Sequence, residues 1–124
     1  MASLGLFFDN VVRSIVKSAR RSSRLHEAAQ WPIKEARISR VRTYGGDGHL
    51  LRPAVDFEYE LNGETEYGSA TGFSLEHEQL NPVCEAAEAL QTIRVRYSPT
   101  DPGVNCVLGE DNSNLPFEID YDIS

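Results

Sequence analysis

A chain of 124 residues, 40% hydrophobic and 25% charged, has the length and balance of one globular domain that buries a core without disulfide staples, which excludes wholesale disorder. Its net charge of −7 is unevenly spread: residues 1–42 carry nine Lys/Arg against three acids, and the remainder carries three Arg against sixteen acids. That distribution speaks against a nucleic-acid-binding body, and no uncharged apolar run approaches the roughly 18 residues that a membrane span needs.

In chain order, residues 4–30 read as a helix. Leu4, Phe8, Val11, Val12, Ile15 and Ala19 recur at three- and four-residue spacing, with Arg13, Lys17, Arg20, Arg21 and Arg24 on the other side. Trp31-Pro32 ends it, because the residue before proline is biased away from helix. The opening apolar run stops at Asp9 with no basic region ahead of it, so no secretory leader is expected. Residues 33–43 are a strand candidate with two alternating sets of apolar positions, and the glycine-rich stretch 44–49 is a turn. Val55, Phe57, Tyr59 and Leu61 alternate with Asp56, Glu58 and Glu60, a half-buried strand that Thr65, Tyr67, Ser69 and Thr71 continue after a turn. Asn81-Pro82 looks like a helix start, with Asn as cap and Pro at the first helical position. Ile93, Val95 and Tyr97 form a further strand with Arg94 and Arg96 on its reverse, and residues 105–108 a short one. Residues 115–123 alternate again, which predicts an edge strand or a segment that adds to a partner's sheet.

These elements define an α+β fold, mainly β. The expectation is an antiparallel sheet or partly open small barrel of five to six strands, with an N-terminal amphipathic helix and a short helix near 82–91. Residues 1–30 are the helix, 31–110 the β-rich domain and 111–124 a C-terminal strand or tail.

The stretch from Asp56 to Tyr67 places five carboxylates around Asn62-Gly63. A two-residue turn would put Glu66 opposite Tyr59 on the apolar face, and burying an unpaired carboxylate costs several kcal/mol. A three-residue loop, Leu61-Asn62-Gly63, pairs Phe57 with Tyr67 and Tyr59 with Thr65 instead. The odd loop is therefore the expected register, and it gathers Asp56, Glu58, Glu60, Glu64 and Glu66 on the outer face. Arginines at 37, 40, 42, 94 and 96 are the groups available to offset that charge.

The pattern supplies no catalytic, cofactor or metal residues. Acids spread along flat strands diverge, whereas a divalent cation needs several oxygens converging on one point. His77 between Glu76 and Glu78 has neighbours that face away from it, and His26 and His49 stand beside no evident nucleophile. Cys84 and Cys106 read as reduced, partly buried thiols, with one disulfide as the alternative. Trp31 reads as an anchor between helix and sheet. Candidate contact residues for a protein partner or a membrane surface are Phe7, Phe8, Val11, Val12 and Ile15 on the N-terminal helix.

Trp31, Pro32, Ala36 and Ile38, then Tyr59, Gly63 and Tyr67, then Val95, Tyr97, Pro99, Pro102 and Leu108 stand in an order that resembles the bacterial domain of unknown function 3592 family, over about residues 31–108. The resemblance implies a compact β-domain and no assigned activity or cofactor. Ala36 stands where that family usually has glycine, and its usual glycine before the Val-x-Tyr strand is absent. The resulting expectation is a structural or protein-interaction module without catalysis, cytoplasmic or peripheral to the inner membrane, that meets a protein partner or a second copy of itself. Its alternative is a membrane-surface module docked through the basic N-terminal helix.

Overall fold

A computed structural model describes residues 24–45, 48 and 50–122. Residues 24–28 are helical (α1), and the chain turns at Ala29 and Gln30 toward Pro32. Strand β1 spans Ile33–Gly45, β2 Leu51–Leu61 and β3 Glu64–Thr71. Helix α2, His77–Leu90, crosses to β4, Thr92–Tyr97, which is followed by β5, Asn105–Cys106, and a 3-10 turn at Gly109–Asp111. The strands lie in the order β3-β2-β1-β4-β5, every pair antiparallel. The protein is thus mainly β, a curled five-stranded half-barrel. Among the described residues no helix is long and apolar enough to cross a membrane.

Ala36, Phe57, Tyr59, Ala70, Ile93 and Val95 from four strands form the core with Val107 and Ile119. Alternation along each strand places the strand residues together, and each buried Phe, Ile or Val side chain contributes about 1.5–3 kcal/mol. The two alternating sets in β1 are reconciled by a bulge. Ile38 faces Phe57 and Arg40 faces Asp56, so Ser39 is an extra residue that resets the pleat. As a result Ala36 and Ile38 share the core side with Val41, and Arg37, Arg40 and Arg42 share the other.

The hairpin adopts the register that charge reasoning disfavoured. Leu61 pairs with Glu64, Tyr59 with Glu66 and Phe57 with Gly68. Asn62 and Gly63 carry φ of 54° and 83°, the two positive values of a two-residue turn that matches strand twist. The expected pairing of Phe57 with Tyr67 is therefore wrong. Its premise was that Glu66 would be buried, but Glu66 lies only half-buried at the rim, beside Gly103. Gly68 provides the positive reason for the register, because a Cβ there would lie 2.5 Å from Phe57 Cζ and would also strike Asn105 Oδ1. The Phe57 ring occupies the space that a side chain would take.

Asn105 closes the curl. It lies on β5, yet its Nδ2 donates to the Tyr67 carbonyl of β3 at 3.0 Å and to the Tyr59 hydroxyl at 3.3 Å. That hydroxyl in turn donates to the Pro102 carbonyl at 2.7 Å. The two margins of the sheet thus meet through one carboxamide.

Two further elements depart from the sequence reading. Helix α2 begins at His77, not at Asn81-Pro82, and Pro82 lies inside it. Proline there forfeits a single hydrogen bond near the helix start, and the added turn buries Leu80. Residues 115–122 form no strand. They make one antiparallel bridge, Ile119 to Gly72, and are held by Arg52 Nη1 on Asp120 Oδ2 at 2.8 Å. Leu115, Phe117 and Tyr121 pack on the core as a tail.

The turn from α2 to β4 passes through φ 66° at Gln91. Replacement by glycine removes that backbone cost, so Gln91→Gly should stabilise the protein by about 0.5–1 kcal/mol. Gly68→Ala should destabilise it by about 1–3 kcal/mol, since the added methyl would displace the buried Phe57 ring and disturb the Asn105 contact. Urea unfolding with an unchanged slope checks both values.

Candidate functional site

The outer face of β1, β2 and β3 concentrates the polar chemistry of the described chain. Asp56, in the middle strand, accepts from Arg40 Nε at 3.1 Å, from Arg42 Nε at 2.9 Å and from Ser69 Oγ at 2.6 Å. Ser39 Oγ at the bulge donates to the Asp56 carbonyl at 3.2 Å. Arg37 pairs with Glu58 one step along the strands. Arg42 also lies over the Tyr44 ring, 5.2 Å from its centroid. Arg37 and Arg40 keep most of their side-chain surface in water, at 71% and 67%. Beside them Tyr67 is 67% exposed, the most open of the large hydrophobic side chains described. Ser39, Arg40, Arg42, Asp56, Tyr67 and Ser69 line a shallow open depression.

Burial works to raise the Asp56 carboxyl, but hydrogen bonds from Arg42, Ser69 and Arg40 outweigh it and hold the group below the usual carboxylate range. The bond to Asp56 likewise raises Arg42. The site is therefore charged and stays so at neutral pH. It is a set of ion pairs on the outer face of the curled sheet, centred on Asp56.

The acidic hairpin is split by the two-residue turn. Asp56 and Glu58 meet arginines and Glu60 is exposed on the outer face, whereas Glu64 and Glu66 fall on the opposite side. The pairing of outer acids with β1 arginines agrees with expectation. Arg94 and Arg96 do not contribute to it. Arg96 makes a bidentate contact with Asp111, at 2.8 and 2.9 Å, and its Nη1 donates to the carbonyls of Ala29 and Trp31, tying the end of α1 to β4. The amide of Asn112 pairs with both backbone groups of Arg94 and so covers that stretch of the β4 edge.

Phe7, Phe8, Val11, Val12 and Ile15 lie outside the described residues, as does His49. His26 and His77 are exposed. Trp31 is half-buried and lines a small apolar cleft with Leu25, Ala28, Val104 and Cys106. Cys84 and Cys106 are free, and burial pushes both thiols up, away from the nucleophilic thiolate. Among the described residues no three His, Cys, Asp or Glu side chains are placed to hold a metal ion. Sequence reasoning missed Ser39, Ser69, Asn105 and Asn112, whose roles depend on residues from 13 to 46 positions away.

The fold and site define a small half-barrel with an arginine- and tyrosine-bearing sheet face. Comparison with family models, with curated proteins and with solved structures returned no match.

Asp56 contributes its full stability above the unfolded-state value of about 4, and that contribution is lost as pH falls through its lower folded value. Asp56→Asn should therefore weaken the protein at pH 7 and flatten its acid-induced loss of stability below about pH 4. Urea midpoints across pH for the two proteins measure the difference.

Proposed function

We propose that this protein is a structural or protein-interaction module that works through the outer face of β1–β3 and carries out no catalysis. The observation behind this reading is Tyr67, held out in solvent at 67% exposure on β3, in the same depression as Arg40, Asp56 and Ser69. Tyrosine and arginine dominate the energetics of protein contacts, because a flat aromatic ring and a planar guanidinium lose little freedom on binding. Strand positions hold them at fixed spacing, and the ion pairs of Asp56 set the arginine geometry in advance. The two free thiols support a reducing, cytoplasmic setting. Their raised ionisation also argues against a cysteine nucleophile.

A photo-crosslinking residue placed at Tyr67 in cells should give one discrete protein adduct that the same residue at exposed Glu88 of α2 does not give. Arg40→Glu should remove that adduct while thermal stability changes by less than about 0.5 kcal/mol beyond the loss of its exposed ion pair. Identical adducts at both positions, or none, would end this reading.

A further inference from the structure

Strand β1 is paired on both sides only through its first half. β4 reaches Ile33 to Arg37, and the Gln91 carbonyl accepts from Ile38 N at 2.8 Å. Among the described residues, β1 beyond the Ser39 bulge has only β2 as a paired strand.

The direction of its remaining backbone groups follows from β2. Leu51 exchanges both backbone hydrogen bonds with Leu75, and the Pro53 carbonyl accepts from Gly72 N, so both residues point their groups away from β1. Gly45 faces Leu51 and Thr43 faces Pro53. In an antiparallel ladder these are non-hydrogen-bonded pairs, and alternation adds Val41 with Val55. Val41, Thr43 and Gly45 therefore turn their N–H and C=O groups outward, and among the described residues those groups meet no partner. Thr43 and Gly45 are exposed, and nothing stands within 4 Å of a Cβ position at Gly45. The result is an open strand edge.

The side chains beside this edge select what can pair with it. Arg40 and Arg42 share the single carboxylate of Asp56, which leaves surplus positive charge on the outer side. Pairing two copies of this edge would bring four such arginines together around two carboxylates. A strand with acids at alternate positions would instead place them next to Arg40 and Arg42, and an aromatic residue two positions further would reach Tyr44. We propose that residues 41–45 of β1 are a strand-addition site for an extended acidic segment of a partner protein.

This assignment rests on the interaction-module reading but locates a contact on the strand edge, not on the Tyr67 face. The probe is a capped heptapeptide, Tyr-Val-Glu-Val-Glu-Val-Ser, added to the isotope-labelled full chain. Amide exchange at Val41, Thr43 and Gly45 should slow with peptide, by about tenfold or more near saturation. Binding should weaken with salt, and a Lys-for-Glu peptide should bind about tenfold less tightly or worse. Thr43→Pro removes an edge donor that lies outside the β1–β2 ladder, so it should abolish binding with the fold's spectrum retained; Gly45→Pro serves if the first variant fails to fold. Unchanged exchange, or equal binding of the lysine peptide, overturns the proposal. Protection that rises with protein concentration alone would make a second copy the occupant and overturn the acidic partner. If the edge fails while the Tyr67 adduct persists, the strand-addition site is lost and the contact face stands.

Discussion

The Asn105 carboxamide joins the two margins of the sheet. A five-stranded antiparallel sheet left open would expose two edges and a concave apolar face. Asn105 reaches from β5 to the Tyr67 carbonyl of β3, and the Tyr59 hydroxyl joins the same network. The approach is so close that residue 68 has no room for a side chain, and Phe57 fills the space beside it. Register, curl and core follow together: Phe57 opposite Gly68 sets the hairpin, the hairpin presents Tyr67 O to Asn105, and the closed trough receives Ile119 and the tail.

Charge is organised around that frame by a single extra residue. The Ser39 bulge rotates the second half of β1, so that arginines at odd and even positions reach one face and converge on Asp56 and Glu58. The same bulge coincides with the point where β1 loses β4 as a neighbour. Its far end is therefore both basic and open along its edge, while Tyr67 lies on the face a short way across the sheet. The proposed contact face and strand edge both arise from one irregularity in the pleat.

Strand positions were legible because burial follows a two-residue period, and Phe57, Tyr59, Ile93 and Val95 fall where alternation puts them. The hairpin register was misjudged because a carboxylate on the apolar side was treated as a buried one. At the rim Glu66 keeps contact with water, and the penalty does not arise. Asn62-Gly63 and the Phe57–Gly68 opposition were both visible in the sequence and were the better guides. Pro82 misled in a similar way, since a local start signal gave way to the burial of Leu80 one turn earlier.

The sequence by itself determined the alternating strands, the Asn-Gly turn, the mainly β class and the placement of arginines and acids on neighbouring segments, because each depends on residues a few positions apart. Tertiary structure decided the rest. Whether Glu66 is wet, whether Arg96 serves the hairpin or Asp111, whether residues 115–122 form a strand or a packed tail, and which half of β1 stays open all depend on groups distant in the chain. Their energies are set by burial and by hydrogen-bond partners that exist only once the sheet has curled.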